Sequence, residues 1–336
     1  MIKQVIHDLF LGQHLSLEAT KTVMEEIMDA KATPAQIAAF LTAIRLKGET
    51  IEEITACAMV MREKCVKLKT ETEVLDIVGT GGDELYTFNI STISSLVIAG
   101  GGVPVAKHGN RSVSSKCGSA DLLEVLGVNI NIPPEQSAQI LKKIGIAFMT
   151  AVIYHPAMKN VSPVRKDLGV RTVFNILGPL ANPAGATMQL FGVYDEKLVE
   201  PLAQVLSNLG AKRVAVVHGH DGSDEITMTS ETRVCEIIDG KVKNYFIAPE
   251  EFDMQRCELK ELVGGDPQIN AKIALDILSG KERAAKRNAV LLNSAMCFHL
   301  AEPSLSLKDG IKKAQESIDS GKAFKKLEDF KKLSNS

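Results

Sequence analysis

Residues 74–92 limit the fold more than any other stretch of the chain. An apolar, β-branched run from Val74 to Val78 predicts a short buried strand. The turn that follows carries three glycines, Gly79, Gly81 and Gly82. A polar start at Asn89 then opens an apolar helical stretch. Because the turn exposes backbone N–H groups and the helix adds its dipole, this order favours binding of an anion such as phosphate. Glycine-rich turns also occur simply as tight turns, and this one matches neither a P-loop nor G-x-G-x-x-G.

Composition restricts the class of protein. The 336-residue chain has a formal net charge of −2, which gives no general attraction to nucleic acid or to an anionic membrane. Its six cysteines include no C-x-x-C pair, which argues against a disulfide framework or a zinc site. The N-terminus lacks an apolar core of signal-peptide length, and no apolar run reaches the roughly 18 residues that span a bilayer. We therefore expect a cytoplasmic protein that binds neither nucleic acid nor membrane.

The order of helical and strand patterns predicts two units. Residues 1–66 contain only helical patterns, with capping-box signals at Thr33 and Thr50 and the first of three helices near Ser16 to Met28. From residue 74 onward, strand and helix patterns alternate, which is typical of a parallel sheet covered by helices. The predicted strands are 74–78, 103–106, 146–149, 188–193 and 213–217, then a hairpin of 234–238 and 242–247. The predicted later helices are 269–278, 285–296 and a single Lys-rich amphipathic helix over 305–333.

We therefore predict an α/β protein, with a small helical bundle domain and a larger α/β domain whose mostly parallel central sheet is covered by helices. We place the helical domain at residues 1–70 and the α/β domain at residues 71–336. Residues 155–185 interrupt the alternation and are rich in proline, glycine and basic residues. We expect about 160–185 to return to the helical domain and complete it.

Two further segments carry candidate ligand-binding groups. The segment from Lys107 to Asp121 is predicted to be a loop after a strand, with three cations and four serines, a composition that suits polyphosphate or a plain polar surface loop. The adjacent carboxylates of Asp224 and Glu225 also follow a strand. Hard oxygen ligands of this kind suit Mg²⁺, although such a pair is often only surface charge. A transition-metal site at His218, His220 and Asp221 is a weaker alternative, since no fourth ligand is evident.

Three single residues have both a functional and a structural interpretation. The planar fork of Arg165 could pair with a substrate carboxylate, and a surface salt bridge is the commoner role of such an arginine. His108 and His155 are candidates for acid–base chemistry or for structural histidines with satisfied hydrogen bonds.

Taken together, these stretches resemble the anthranilate phosphoribosyltransferase family, over essentially the whole chain. The motifs that carry the resemblance are Asp76-Ile-Val-Gly-Thr-Gly-Gly-Asp83, Asn89-Ile-Ser-Thr92, Lys107-His-Gly-Asn-Arg111, Ser119-Ala-Asp-Leu-Leu-Glu124, Arg171-Thr-Val-Phe-Asn-Ile-Leu-Gly-Pro-Leu-Ala-Asn-Pro183 and Asp224-Glu225. Each motif is moderately specific, and the full set in this order is highly specific. The resemblance implies transfer of the phosphoribosyl group of phosphoribosyl pyrophosphate (PRPP) to the amine of anthranilate, with inversion at C1.

The resemblance also implies which residues bind each ligand. It places PRPP on Gly79, Gly82, Asp83, Thr87, Asn89, Ile90, Ser91, Thr92, Lys107, His108, Gly109, Asn110, Arg111, Ser112, Val113, Ser114, Ser115 and Ser119. It places two Mg²⁺ ions on Ser91, Asp224 and Glu225, and anthranilate on Gly79, Asn110, Arg165, His108, His155 and Gly178. Lys107 would support the transition state, and no covalent nucleophile or strong acid–base residue is implied.

The same resemblance implies a homodimer and, in the cell, an association with anthranilate synthase components. Two alternatives remain at this point. A pyrimidine nucleoside phosphorylase-like enzyme has a similar fold and glycine turn but would not need the Asp224-Glu225 pair. A non-catalytic paralogue that binds nucleic acid would need a basic face, which the net charge of −2 does not favour.

Overall fold

The first part of the chain is a layer of helices. The computed structural model describes residues 1–112 and 116–336. Its first helices are α1 (Ile2–Phe10), α2 (Leu17–Met28), α3 (Pro34–Lys47) and α4 (Ile51–Lys64). Side-chain caps from Ser16, Thr33 and Thr50 open the last three of these helices, as expected. The prediction of only three helices was wrong, because α1 precedes them and buries its apolar face.

Seven strands form one sheet behind this layer. They are β1 (Leu75–Gly79), β2 (Val105–Gly109), β3 (Ile146–Thr150), β4 (Met188–Gly192), β5 (Arg213–Gly219), β6 (Thr232–Ile238) and β7 (Lys241–Ile247). Their order across the sheet is β3-β2-β1-β4-β5-β6-β7, with β1 to β5 parallel and the β6–β7 hairpin antiparallel. The chain runs outward from β1 to β3 and then crosses to β4 on the other side of β1. The carboxyl ends of β1 and β4 are therefore the switch point where sheets of this kind bind ligands.

Helices cover both faces of the sheet. They are α5 (Ile90–Gly100), α6 (Ser119–Val125), α7 (Pro134–Ile144), α8 (Ala151–Tyr154), α9 (Ser162–Leu168), α10 (Phe174–Leu180), α11 (Val199–Asn208), α12 (Pro267–Leu278), α13 (Ala285–Ala301), α14 (Leu307–Asp319) and α15 (Lys322–Ser334). Leu190 of β4 packs in the apolar core with α5 and α13, whereas its neighbour Phe191 packs in a second core with α11. The predicted fold class, a helical bundle with a larger α/β unit around a mostly parallel sheet, is confirmed.

Residues 155–185 connect the helical layer to the sheet. Val161 and Phe174 of this segment are buried in the same apolar cluster as Phe40 of α3 and Phe191 of β4. Arg62 of α4 adds a polar link across the same region, because it donates to the carbonyl oxygens of Leu180 at 2.7 Å and Leu209 at 2.9 Å. The segment therefore belongs physically to both layers.

The C-terminal prediction needs a correction. The stretch 305–333 is not one helix, because α14 ends before Ser320 and α15 begins after Gly321, whose φ of 75° lies in the left-handed region. A glycine adopts that conformation without a steric penalty and so ends the first helix. None of the six cysteines, all of which lie among the described residues, forms a disulfide. No helix in the part of the chain that the structure describes has the length and apolar character needed to cross a membrane.

Candidate active site

The glycine turn after β1 is packed directly against Asp224. Gly79 and Gly192 are paired in register at the ends of β1 and β4. A Cβ atom on Gly79 would lie 2.2 Å from Asp224 Oδ2, and one on Gly192 would lie 1.5 Å from the Asp224 carbonyl oxygen. The backbone N–H of Gly81 donates to Asp224 Oδ2 at 2.6 Å. Both glycines are thus required for the Asp224 loop to reach the switch point of the sheet.

Three carboxylates gather at this point, and each has a raised pKa. Burial, followed by the charge of Asp83, raises the pKa of Asp224 to about 7. Burial, followed by the charge of Asp224, raises the pKa of Glu225 to about 8, and burial also raises that of Asp83. Keeping all three carboxylates ionised costs free energy, because they are buried and repel one another. A bound divalent cation would offset both the loss of hydration and the repulsion.

The described residues contain no group of three or more His, Cys, Asp or Glu side chains that could hold a metal ion by itself. This geometry fits Mg²⁺ better than a transition metal. Magnesium usually joins one or two protein carboxylates to the phosphates of a substrate and keeps several waters. Asp224 and Glu225 would supply those carboxylates, and the residues present therefore fit the ion.

Lys107 lies inside β2, which corrects the prediction that it stands in a loop. The predicted strand at 103–106 is displaced, because β2 runs from Val105 to Gly109 and only 3% of Lys107 is exposed. Its Nζ donates to the Ile77 carbonyl oxygen at 2.5 Å and to Ser91 Oγ at 3.2 Å. Burial lowers the pKa of Lys107, against the attraction of Asp76 and Glu225. The ammonium group is therefore held rigidly beside the carboxylate cluster.

The start of α5 contributes backbone groups more than side chains. The N–H of Ser91 donates to Glu225 Oε1 at 3.2 Å. Asn89 does not cap the helix with its side chain; its Nδ2 donates to the Cys117 carbonyl oxygen at 3.0 Å. The side chains of Ile90 and Thr92 are buried, and the Ile90 N–H already donates to the Phe88 carbonyl oxygen at 2.7 Å, so Thr92 can offer only its backbone amide to a ligand.

The segment after β2 folds back on itself. Arg111 is exposed and binds Glu124 at 2.5 Å and Asp121 at 3.1 Å. Ser119 Oγ donates to the Asn110 carbonyl oxygen at 3.2 Å, which keeps both beside Gly109. The N–H of Ser112 donates to Asp121 at 3.0 Å. The remaining predicted PRPP residues of this segment lie outside the described residues: Val113, Ser114 and Ser115. Thr87, nearer the glycine turn, pairs with Val263 in an isolated bridge.

Three of the six predicted anthranilate residues, His108, His155 and Gly178, form a second group on the face of β2 opposite Lys107, whereas Gly79 lies at Asp224 and Asn110 lies in the segment after β2. His108 Nδ1 lies 3.1 Å from the Gly178 carbonyl oxygen, and the rings of His108 and His155 are 5.0 Å apart. Burial lowers the pKa of His108 to about 3 and that of His155 to about 4, so both are neutral at pH 7. The Nε2 atoms of both rings are buried and have no hydrogen-bond partner among the residues that the structure describes.

Arg165 of α9 lies against the ring of Phe174. Its guanidinium lies 5.4 Å from the centre of the Phe174 ring, and it forms no ion pair with any of the residues that the structure describes. Burial lowers its pKa. Burying half of a guanidinium without a bound anion costs free energy, and a substrate carboxylate would supply the missing hydrogen-bond acceptors.

Sequence reasoning missed three residues that shape the site. Arg171 donates to the Gly82 carbonyl oxygen and stacks on Tyr194, with 4.1 Å from Cζ to the ring centre. Asp76 is fully buried and accepts from Asn182 Nδ2 at 2.7 Å. Arg171, Asp76 and Asn182 all stand within the motifs noted above, but nothing in a single sequence distinguishes their contacts from those of their neighbours.

The alternative metal site at His218, His220 and Asp221 is not assembled. His218 Nδ1 lies 2.7 Å from the Val193 carbonyl oxygen, and Asp221 accepts a hydrogen bond from Thr227 Oγ1 at 2.6 Å. Asp221 is thus engaged in closing its own turn. His218 and Asp221 are therefore explained by hydrogen bonds that stabilise the local fold, without a metal ion.

Comparison with known proteins defines the class first. Residues 3–65 match the helical bundle domain of a glycosyl transferase family, and residues 71–324 match the a/b domain of the same family. These two matches place the chain among glycosyltransferases with both the bundle and the α/β unit.

Relatives then define the branch of that class. Anthranilate phosphoribosyltransferase of Endomicrobium trichonymphae is 62% identical over 335 residues, covering 100% of this chain and 99% of the relative. The enzyme of that name from Ruminiclostridium cellulolyticum is 61% identical, covering 100% and 98%. The crystal structure of the Thermus thermophilus enzyme has a TM-score of 0.94 at 43% identity, covering 99% of both chains. The Saccharomyces cerevisiae enzyme in complex with PRPP and Mg has a TM-score of 0.92 at 29% identity, covering 99% of this chain and 98% of its own. The chain therefore belongs to the anthranilate phosphoribosyltransferase family.

Proposed function

We propose that this protein transfers the 5-phosphoribosyl group of PRPP to the amine of anthranilate, giving N-(5-phosphoribosyl)anthranilate and pyrophosphate. One observation carries the proposal: Lys107 and His108 are consecutive residues of β2 that face two different groups of ligand-binding residues. Lys107 lies beside Ser91 and the carboxylate cluster, and His108 lies beside Gly178 and His155. Membership of the family supports the same reaction.

The reaction needs no covalent nucleophile. The aromatic amine is uncharged near pH 7, so its lone pair attacks C1 of the ribose while the bond from C1 to the pyrophosphate oxygen breaks. The electron pair of that bond leaves with pyrophosphate, and the new C1–N bond forms from the opposite side, which inverts C1. Catalysis then depends on holding the two substrates in line and on stabilising the departing charge. Lys107 supplies a fixed positive charge at that end.

The neutral histidines orient the amine. His108 Nδ1 carries its proton toward the Gly178 carbonyl oxygen at 3.1 Å, which leaves Nε2 as an unprotonated acceptor. This atom is buried in the structure, so substrate binding must first uncover it; an amine N–H that then donates to it is held with its lone pair directed away from the ring. Arg165 would bind the carboxylate of anthranilate through its planar fork. After the C1–N bond forms, the nitrogen is positively charged and acidic, and it releases one proton to water.

We propose two Mg²⁺ ions on Ser91, Asp224 and Glu225. When bound, the ions would neutralise charge on the pyrophosphate leaving group. The raised pKa values of the two carboxylates support this assignment, as does the Mg present with PRPP in the yeast relative. We propose that PRPP also binds along the glycine turn, the start of α5 and the described part of the segment after β2.

The wider proposals concern assembly and location. We propose a homodimer, supported by the exposed apolar side chains Phe10, Leu11 and Leu46 on the helical layer, of which 69%, 62% and 83% are accessible. We propose a division into a helical domain of residues 1–70, completed by about 160–185, and an α/β domain of residues 71–336. Six described cysteines that form no disulfide support a reducing compartment and thus the cytoplasm. The association with anthranilate synthase components stays a prediction, testable by co-purification.

The test is the loss of anthranilate fluorescence on addition of PRPP and Mg²⁺. Wild type should require both additions, and the double variant Asp224→Asn/Glu225→Gln should lose activity by about 10²-fold or more. Asp221→Asn is the matched control, because that carboxylate binds hydroxyl groups of its own loop. Folded wild-type protein that consumes no anthranilate, or a product with retained configuration at C1, would contradict the proposal. Phosphate-dependent cleavage of a pyrimidine nucleoside would instead favour the phosphorylase alternative.

A further inference from the structure

The sheet is incompletely paired at one seam, between β1 and β2. On its other side β1 pairs with β4 along its whole length, and β2 pairs with β3 over five residues. Between β1 and β2, the register contains the single pair Leu75 and Val105. Past that pair the two strands continue side by side, and side chains occupy the place of the missing ladder.

Three backbone groups that face the seam are bound by three side chains. The His108 N–H donates to Asp76 Oδ1 at 3.2 Å. The Ala106 carbonyl oxygen accepts from Asn182 Nδ2 at 2.9 Å. The Ile77 carbonyl oxygen accepts from Lys107 Nζ at 2.5 Å. Side-chain hydrogen bonds therefore join β1 to β2 at this seam, and these side chains set the distance between the two strands.

Asp76 is the centre of this arrangement. It stands on β1, is fully buried, and receives one hydrogen bond from the β2 backbone and another from Asn182. Asn182 is itself fixed, because its Oδ1 accepts from the N–H of Ala184 at 2.8 Å. A buried carboxylate is an expensive way to join two strands that could pair through their backbones. Its cost indicates a role beyond stability.

The two residues of β2 that take part in this seam, Lys107 and His108, are also the two that face the groups of ligand-binding residues. Consecutive residues of a strand point to opposite faces of the sheet. Lys107 therefore faces the carboxylate cluster while His108 faces Gly178. A change in the position of β2 relative to β1 would move both side chains together.

We propose that Asp76 and Asn182 are positioning residues for the transfer reaction. They hold the end of β2 away from β1, so that Lys107 reaches the PRPP group and His108 reaches the anthranilate group at the same time. They touch neither substrate and act through β2. This inference rests on the proposed function.

The test measures KM for both substrates in Asp76→Asn. An amide at position 76 meets two donors with one acceptor, so one hydrogen bond of the pair is lost and β2 shifts. We expect KM for PRPP and KM for anthranilate each to rise about tenfold, the effect of losing one such bond.

Glu236→Gln is the matched control. Glu236 is also a buried carboxylate with two donors, His299 and Tyr245, and it stands on β6 away from the seam. It should lower the unfolding midpoint and leave both KM values unchanged. Asp76→Asn that is destabilised but keeps both KM values within about twofold overturns the proposal. A rise for one substrate alone also overturns it, because one strand end carries both side chains.

Asn182→Ala tests the same proposal if Asp76→Asn does not fold. It removes one hydrogen bond from Asp76 and one from Ala106, so a smaller rise in both KM values supports the proposal and unchanged values overturn it. Failure of the proposed function is distinguishable, because wild type would then show no transfer at all.

Discussion

Gly79 lies so close to Asp224 that a methyl group on the glycine would sit 2.2 Å from the carboxylate oxygen Oδ2. The Asp224 carboxylate is fixed there by the N–H of Gly81. The position of a proposed magnesium ligand thus depends on the absence of one side chain in a neighbouring strand.

Gly79→Ala should raise the Mg²⁺ concentration for half-maximal activity by on the order of tenfold and lower kcat/KM for PRPP by about 10²-fold. The added methyl group displaces the Asp224 carboxylate, because no atom can remain at 2.2 Å. The measurement is initial rate against Mg²⁺ at fixed PRPP.

Gly101→Ala is the control for this variant. Its Cβ would lie 2.3 Å from Phe298 Cζ in the core, which is an equally close contact at a place remote from the carboxylates. It should lower stability and leave the Mg²⁺ dependence unchanged. An equal shift of the Mg²⁺ dependence in both variants would show that the effect of Gly79→Ala is not local.

Arg165→Lys should raise KM for anthranilate about 10- to 100-fold and change KM for PRPP little. Lysine keeps the charge but loses the two parallel N–H donors that match a carboxylate, and a charged hydrogen bond contributes about 1.5–3 kcal/mol. Steady-state kinetics with each substrate varied in turn separates the two constants. Lys166→Ala, on the exposed next residue, is the control. Equal increases in both KM values would place Arg165 outside the anthranilate site.

The buried pair of Glu236 and His299 predicts a pH dependence of stability. Its atoms Oε2 and Nε2 are 3.0 Å apart. The hydrogen bond to Glu236 raises the pKa of His299 against the effect of burial. Burial opposes the shift of Glu236, but the hydrogen bond and charge of His299 lower its pKa overall. The stabilisation from His299 is complete below its unfolded-state pKa of 6.5 and is lost as the pH rises through the raised value.

The contribution of Glu236 has the opposite sign: it is complete above the unfolded-state pKa of 4.5 and is lost as the pH falls through the lowered value. Wild type should therefore exceed His299→Gln in unfolding free energy by about 1–2 kcal/mol near pH 5.5, and by less at pH 8.5. Urea denaturation at the two pH values measures the difference. His7→Gln, at an exposed histidine, should show no such change between the two pH values. A difference that grows from pH 5.5 to 8.5 would refute the assignment.

Arg62→Met should lower the unfolding free energy by about 2–4 kcal/mol, because two carbonyl oxygens lose their charged donor. These carbonyls, of Leu180 and Leu209, lie at the ends of α10 and α11, where a cation also interacts favourably with the helix dipoles. Arg45→Met removes an exposed arginine from α3 and should cost less than about 0.5 kcal/mol. Similar losses in both variants would mean that the two buried hydrogen bonds contribute little.

Helices and turns could be predicted from the sequence better than the side-chain contacts between them. Local chemistry at Thr33 and Thr50 determines where two helices start, and Asp239-Gly240 determines the hairpin turn, so both could be predicted from neighbouring residues. Lys107 was misplaced because a lysine next to His-Gly-Asn is typical of a polar loop. Its burial in β2 depends on Ile77 and Ser91, which are distant in sequence.

The candidate site shows the same limit. Asp224 and Glu225 could be selected as a carboxylate pair, whereas their contact with Gly79, Gly81 and Ser91 required the strand order of the sheet. Arg171 and Asn182 have no local signal, because a single hydrogen bond to a backbone carbonyl or a buried carboxylate leaves no pattern in spacing or composition.

The edge strand β7 has a consequence for how the chain behaves at high concentration. Its residues Lys241 and Lys243 are exposed, and they stand on the outermost strand of the sheet. A second copy approaching edge to edge would bring like charges together along that row, which opposes continuation of the sheet from one molecule into the next. The strand thus opposes edge-to-edge association of folded molecules when they are crowded together.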